Sequence, residues 1–141
     1  TTSEYENGVD IIIFTAAVAD YTPIDVPTSK IKKEKKEKIS LELKSTPDIA
    51  KYIGSIKKNG AFHVGFALET ESGLENAKDK LSAKQLDMIV LNSLKDQGAG
   101  FATDTNKITI IDKINIKEHP LKSKKDVAID ITDYIESKIL C

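Results

Sequence analysis

The pattern of apolar and polar residues predicts strands alternating with helices along the first two thirds of the chain. A segment that alternates apolar and polar residues, 38–44, indicates a strand buried on one face. Continuous apolar runs, typical of strands buried on both faces, lie at 11–14, 62–68 and 88–91. With helices between them, these strands predict a parallel sheet covered on both faces, hence a three-layer, Rossmann-like α/β fold.

Two helices are predicted between these strands. Thr46-Pro47-Asp48 is typical of a helix start, with the Thr46 hydroxyl as the N-cap and Pro47 in the first turn. The apolar stripe of this helix is Ile49, Ile53 and Ile56, and 57–60 ends it. A second helix is predicted over 71–85, with Leu74, Ala77 and Leu81 facing inward.

The last third has a different pattern. A strand at 107–112 is followed by a turn and a short return around 114–116, which predicts an antiparallel edge hairpin. Ser123 is the predicted N-cap of a final helix. Its apolar stripe consists of Val127, Ile131, Tyr134, Ile135 and Ile139.

Length and composition predict a single domain, residues 1–141, with one hydrophobic core. The only cysteine is Cys141, so an internal disulfide and a cysteine-based metal site are excluded within this sequence. We expect a reducing, cytoplasmic location. No apolar stretch approaches the ~20 residues of a membrane span, so no membrane association is expected.

The net charge of −1 conceals a basic segment. Six lysines lie between Lys30 and Lys38 against only Glu34 and Glu37, and the chain has no arginine. Such a run is commonly a solvated surface. It has no aromatic residues for base stacking, so nucleic acid is not the expected partner. Phosphate groups would have to be bound by lysines and by backbone N–H groups.

The turn after the first strand is a candidate ligand site. Ala16-Ala17-Val18-Ala19 are small residues at the end of a buried strand, and Asp20 follows them. Such a turn exposes backbone groups where a nucleotide can approach closely. Small residues that only let the strand end pack on a helix, with Asp20 capping a turn, are the alternative.

Other chemistries find little support. His63 and His119 are distant in sequence and have no cysteine or carboxylate at ligand spacing, so a structural metal site is not expected. Neither a Walker loop, a nucleophile elbow nor a glycine-rich dinucleotide motif is present.

An ordered set of motifs resembles phosphopantothenate-cysteine ligase, also called phosphopantothenoylcysteine synthetase. The motifs are AAVAD at 16–20, KIKK at 30–33, TPDI at 46–49, VGFALET at 64–70, Lys80 with Lys84, and DMIVLN at 87–92. The resemblance extends from about residue 9 to the C-terminus. It also implies that a glycine-rich N-terminal half of the ligase domain is absent from this sequence, so that the isolated chain is inactive.

The resemblance implies a catalytic lysine, Lys30, on a loop that closes over a nucleoside triphosphate, with Lys32 and Lys33 adding charge. Ala16 and Ala17 would present backbone groups to the base, and Asp20 would accept from ribose hydroxyls. The full implied set of nucleotide-binding residues is Ala16, Ala17, Asp20, Lys30, Pro47, Asp48, Ile49, Ala50, Phe66, Lys80 and Lys84. The residues that would hold a metal ion are left unknown.

The implied reaction joins 4′-phosphopantothenate to L-cysteine in coenzyme A biosynthesis. CTP, favoured over ATP, would activate the carboxylate as an acyl-nucleotide, with Mg²⁺ as the counter-ion of the triphosphate. A homodimer is implied, and the hairpin at 107–116 is our hypothesis for its interface. A flavin-dependent decarboxylase fused upstream remains open. The alternatives are a Rossmann-like nucleotide-binding module without ligase activity and a basic nucleic-acid-binding domain.

Overall fold

The computed structural model describes residues 8–31, 39–69, 71–93 and 103–140, except for the side chain of Ser93. The strands are β1 (Ile11–Phe14), β2 (Tyr21–Pro23), β3 (Leu43–Ser45), β4 (Phe62–Glu69), β5 (Met88–Ser93), β6 (Thr105–Asn106), β7 (Ile108–Asp112), β8 (Ile116–Glu118) and β9 (Lys122–Ser123). The helices are α1 (Ile49–Ser55), α2 (Gly73–Ala83) and α3 (Lys124–Ile139).

The chain divides into two units. The main unit comprises residues 1–15 and 50–141, and the insert unit comprises residues 16–49. In the main unit, a five-stranded sheet has the order β1-β4-β5-β7-β8. Strands β1, β4 and β5 run parallel, whereas β7 and β8 form an antiparallel hairpin at one edge. The predicted α/β fold with its C-terminal edge hairpin is therefore confirmed.

Two apolar clusters lie on opposite faces of this sheet. On one face, α3 packs over β4, β5 and β7. Its buried members are Val64, Met88, Val90, Ile108, Ile110, Val127, Ile131 and Ile135. On the other face, α2 contributes Ala77 and Leu81 against Ala67, Leu86, Ile89 and Ile111. The sheet thus has a helix on each face, as the three-layer prediction requires.

Helix α3 begins where the sequence predicts. The Ser123 hydroxyl accepts a hydrogen bond from the Asp126 backbone N–H at 3.1 Å, which satisfies one of the free donors of the first turn. Its predicted stripe is buried at Val127, Ile131 and Ile135, while Ile139 beyond them is exposed.

The predicted burial of β1 on both faces is wrong. Ile11 and Ile13 are each 41% exposed. The reason is the position of β1, which lies at the edge of the sheet and pairs only with β4 among the described residues. An apolar run of four residues indicates a hydrophobic strand, but it does not show which strands or helices lie beside that strand in the fold.

The segment 38–44 does not form a sheet strand buried on one face. Only 43–45 is a strand, β3, and it pairs antiparallel with β2 inside the insert unit. Ile39, Leu41 and Leu43 are all exposed. The predicted strand thus overlaps β3 only at residues 43–44, and the described residues of the insert unit include no helix that covers its apolar side chains.

Smaller differences concern helix ends. Helix α1 begins at Ile49, and the Thr46 hydroxyl donates to the Ala19 carbonyl oxygen at 2.6 Å instead of serving as the predicted N-cap. In α2, Ala77 and Leu81 are buried, but Leu74 is exposed in the first turn. Within the described ranges, none of the three helices is long and apolar enough to cross a membrane.

Candidate functional site

In the insert unit, Thr46 joins the small-residue turn to the start of α1. Its backbone N–H donates to the Asp20 carbonyl oxygen at 2.9 Å, and its hydroxyl donates to the Ala19 carbonyl. The chain after Asp20 is thereby held beside the residues that precede α1. Two predicted nucleotide-binding segments, 16–20 and 47–49, are therefore neighbours in this unit.

The exposure of these segments leaves their polar groups accessible. The whole stretch 15–20 is exposed, so the Asp20 carboxylate faces solvent in the isolated chain. Pro47, Asp48 and Ile49 are also exposed, and Ala50 is half-buried. With seven residues, α1 is a short helix, so its dipole contributes little to ligand binding.

Lys30 lies outside regular structure between β2 and β3 and is exposed. An exposed lysine keeps its long side chain free to reorient, which suits a group that approaches a ligand after it binds. The auxiliary residues of the prediction, Lys32 and Lys33, lie outside the described residues.

In the main unit, Phe66 and Lys80 lie on different faces of the sheet. Phe66 is on β4, two residues after Val64, so it points to the face that α3 covers. It is exposed, because α3 covers only the first half of β4 on that face. Lys80 is on α2, which packs against the opposite face.

Lys80 is held by a carboxylate at the end of β4. Its Nζ lies 2.5 Å from Oε1 of Glu69, and Asn76 donates from Nδ2 to Oε2 of the same carboxylate at 3.0 Å. The hydrogen bond from Lys80 is the largest cause that lowers the pKa of Glu69 below its ordinary value, so Glu69 is ionised near neutral pH. Asn76 also donates to the Glu71 carbonyl oxygen at 3.3 Å, which links the strand end to the helix.

The prediction placed Lys84 within α2, whereas in the structure it lies directly after the helix. The helix ends at Ala83, and the Lys84 backbone N–H still donates to the Lys80 carbonyl at 3.0 Å. The two lysines therefore keep the i, i+4 spacing. The Lys84 carbonyl packs against Gly54, the last buried residue of α1.

Sequence reasoning did not give Glu69 or Asn76 a role, although Glu69 belongs to the quoted motif at 64–70. The signal was available: an acid that follows a buried strand lies at the carboxyl end of that strand. There it meets the next helix of the crossover, which carries Asn76 and Lys80 on successive turns.

Both histidines are buried and serve as anchors. The Nδ1 of His119 lies 3.0 Å from Asp130, whose carboxylate also accepts from Lys122 at 2.8 Å. Hydrogen bonding from Lys122 and His119 outweighs burial and lowers the pKa of Asp130. These contacts join the segment after β8 to α3.

The anchor at His63 connects β4 to the start of β5. Asp87 accepts from the His63 backbone N–H at 2.7 Å, and its own N–H donates to the His63 carbonyl at 2.9 Å. Lys57 forms an ion pair with the same carboxylate. Burial, and then the Lys57 charge, lower the pKa of His63, so its ring is neutral at pH 7. Among the described residues, no group of three or more His, Cys, Asp or Glu could hold a metal ion.

Curated relatives match most of the chain. One, named cysteine/cysteine sulfinic acid decarboxylase and from an unspecified prokaryote, is 54% identical over 123 residues, which is 86% of this chain and 34% of the relative. The bifunctional coenzyme A biosynthesis protein CoaBC of Bacillus subtilis is 49% identical over 127 residues, 89% of this chain and 31% of the relative. The chain thus spans about a third of the length of these relatives.

Solved structures also resemble this chain over most of its length. The C-terminal domain of a CoaBC protein superposes with a TM-score of 0.74 at 37% identity, over 98% of this chain and 58% of that one. A Cab2 variant in complex with phosphopantothenate-cysteine superposes with a TM-score of 0.68 at 19% identity, over 91% of this chain and 45% of that one, and shows a shared fold. The model of the DNA/pantothenate metabolism flavoprotein C-terminal domain matches residues 1–139, and the chain belongs to that family.

Proposed function

We propose that this chain is part of a phosphopantothenate-cysteine ligase of coenzyme A biosynthesis. The observation that carries the proposal is the similarity to CoaBC over nearly the whole chain, at an identity well above that of proteins sharing only a fold. The motifs at 16–20, 30–33, 46–49, 64–70 and 87–92 also support the proposal, because they occur in this chain in the order found in phosphopantothenate-cysteine ligases.

The proposed chemistry has two steps, and the first requires positive charge around the nucleotide. A carboxylate oxygen of 4′-phosphopantothenate attacks the α-phosphate of CTP. The bond between the α-phosphorus and its bridging oxygen breaks, and pyrophosphate leaves with the electron pair of that bond. The cysteine amine then attacks the acyl carbon and CMP leaves. Lysines placed around the triphosphate stabilise the first transition state, since charge builds up on the phosphate oxygens. Lys30 is our proposed catalytic residue for this step.

The remaining contacts are proposed individually. In the insert unit, backbone groups of Ala16 and Ala17 contact the base, and the exposed Asp20 carboxylate accepts from the ribose. Residues 47–50 add backbone contacts. In the main unit, Phe66 borders the nucleotide, and Lys80 and Lys84 bind its charged groups. The exposure of Asp20, Lys30 and Phe66 supports these roles, because a ligand must reach them.

The proposal includes CTP in preference to ATP, Mg²⁺ carried by the triphosphate, and a cytoplasmic location. It also includes a homodimer formed through the hairpin at 107–116. The exposed turn and outer strand of this hairpin support that interface: Ile114 at the turn is 88% exposed, and β8 is exposed and lies at the sheet edge.

The test uses the intact protein that contains this chain. Incubation with 4′-phosphopantothenate, L-cysteine and Mg²⁺, with either CTP or ATP, is followed by mass spectrometry of the products. We expect phosphopantothenoylcysteine together with CMP and pyrophosphate in equal amounts. Nucleotide binding without product would favour the alternative of a binding module without ligase activity, and tight, salt-sensitive RNA or DNA binding would favour the nucleic-acid alternative.

A second candidate comes from the relative named as a decarboxylase. The same incubation therefore includes L-cysteine and cysteine sulfinic acid alone, with release of CO₂ as the measurement. If the domain formed by this chain acts in decarboxylation, substitutions at Lys30 should change CO₂ release. If it is the ligase part, they should change only product formation that depends on nucleotide.

A further inference from the structure

Glu69 occupies a distinctive position in the main unit. It is the last residue of β4, an interior strand of the sheet, and its side chain is only 13% exposed. Both carboxylate oxygens have partners on α2: Oε1 accepts from Lys80 at 2.5 Å and Oε2 accepts from Asn76 at 3.0 Å. The carboxylate is therefore fixed by two bonds to a helix and by the rigid strand that carries it.

The backbone around Glu69 leaves little room for movement. A Cβ atom at Gly73, the first residue of α2, would lie 3.2 Å from the Glu69 Cβ, so the strand end and the helix start are in close contact. Asn76 also bonds to the Glu71 carbonyl in the connection between them. Glu69 is thus a fixed acceptor, and it orders the long side chain of Lys80, which would otherwise be flexible.

Lys80 keeps donors for a second partner. Its side chain is 44% exposed, and an ammonium group has three N–H donors, of which Glu69 uses one. A free lysine side chain loses about 1.5–2 kcal/mol of rotamer entropy when it is ordered. A lysine already ordered by Glu69 has lost that freedom before a ligand binds, so binding is stronger by preorganisation.

We propose that Glu69 is a positioning residue that holds the Lys80 ammonium in place for the anionic part of the nucleotide, with Asn76 fixing the orientation of the Glu69 carboxylate. The proposal rests on the proposed function, since it assigns Lys80 a nucleotide contact. Glu69 itself acts through Lys80 and touches no reacting atom.

A Glu69 that competes with the nucleotide for Lys80 would have a different effect on nucleotide affinity from a Glu69 that positions Lys80. If Glu69 competed with the nucleotide for Lys80, removal of its charge would release the lysine and tighten nucleotide binding. If Glu69 positions Lys80, removal of its charge weakens binding, and only when Lys80 is present. The sign of the change in affinity and its dependence on Lys80 therefore distinguish the two roles.

The experiment is a double-mutant cycle in the intact protein, with CTP affinity measured by calorimetry and kinetics measured for CTP and cysteine. We expect Glu69→Gln to raise the Kd and KM for CTP about tenfold, with the KM for cysteine unchanged. In the Lys80→Met background, Glu69→Gln should change the CTP affinity less than about twofold. Glu75→Gln, an exposed acid in the first turn of α2, is the matched control and should behave as wild type.

Several outcomes would overturn the positioning role. These are tighter CTP binding in Glu69→Gln, an equal loss of affinity with and without Lys80, or normal CTP affinity and turnover in Lys80→Met. A circular dichroism melt accompanies each variant, and a Glu69→Gln protein that lost affinity only through unfolding would also contradict the role. Absence of CTP binding and product in the wild-type protein would instead overturn the proposed function itself.

Discussion

Gly54 and Lys84 lie so close together that a side-chain carbon at position 54 would overlap the Lys84 carbonyl oxygen. The contact joins the end of α1 to the end of α2 inside the main unit. Because the obstacle is backbone, no rotamer change can relieve it. The position of a proposed nucleotide-binding lysine thus depends on the absence of a side chain thirty residues earlier in the sequence.

We predict that Gly54→Ala lowers the free energy of unfolding by about 2–3 kcal/mol, since the backbone of α1 or of Lys84 must shift. Urea denaturation measures the loss. Ser55→Ala, at the next and exposed position of α1, is the control and should change stability by less than about 1 kcal/mol. Equal stability of Gly54→Ala and wild type would show that the close packing is not present in solution.

Lys30→Gln should leave the fold intact and reduce turnover by roughly 10²-fold or more, the scale expected when a preorganised charge is removed from a transition state. The position is exposed, so the substitution removes no buried contact. Steady-state kinetics of the intact ligase measure the effect, and Lys44→Gln, in the same unit, serves as the control. Turnover of Lys30→Gln close to that of wild type would remove this lysine from the mechanism.

Lys80→Ala and Lys84→Ala should each weaken CTP binding while changing the free energy of unfolding by no more than about 0.5 kcal/mol, because neither side chain belongs to the buried stripe of α2. Calorimetric titration and urea denaturation measure the two quantities on the same samples. Variants that lost stability but bound CTP normally would make these lysines structural.

The Asp112 carboxylate accepts five hydrogen bonds at the turn of the β7–β8 hairpin. Its donors are the backbone N–H groups of Ile114 and Asn115, the Asn115 side-chain amide, the Tyr134 hydroxyl and the Lys138 ammonium, at 2.5–3.5 Å. Burial alone would raise the pKa of this carboxyl, but these bonds outweigh it and hold the pKa well below its ordinary value of 3.8. The stabilisation by this carboxylate is therefore complete above that value and is lost as the pH falls below it.

We predict that Asp112→Asn lowers the free energy of unfolding by about 2 kcal/mol at pH 7 and makes unfolding less sensitive to acid below pH 4. Urea denaturation at several pH values measures both effects. Asp133→Asn, on an exposed position of α3, should leave the acid sensitivity unchanged. An Asp112→Asn protein as acid-sensitive as wild type would contradict the assigned contacts.

The sequence predicted the layers of the main unit well, because its elements have strong and continuous patterns. The stripe of α3 and the runs of β4 and β5 are buried largely as expected. Burial was mispredicted where it depends on a neighbour. Ile11 and Ile13 are as apolar as the residues of β5, yet they lie at an edge, which no local pattern reveals.

The candidate site remains a prediction, and the sequence left one of its contacts out for a related reason. The resemblance singled out Lys80 and Lys84 as candidates, but it did not reveal the Glu69 partner of Lys80, since that contact depends on how a strand end meets a helix. Thr46 is a second example of a contact that the sequence does not reveal. The sequence around Thr46 is typical of an N-cap, but in the folded chain its hydroxyl donates to the Ala19 carbonyl oxygen instead.

We propose that the protein containing this chain activates the carboxylate of 4′-phosphopantothenate by joining it to the α-phosphate of CTP. The most direct test is to label the carboxylate of 4′-phosphopantothenate with ¹⁸O and to analyse the products by mass spectrometry. An acyl-nucleotide requires one carboxylate oxygen to leave with CMP, so we predict one ¹⁸O atom in each CMP formed and none in pyrophosphate. Label in inorganic phosphate together with CDP, or CMP without label, would contradict this mechanism.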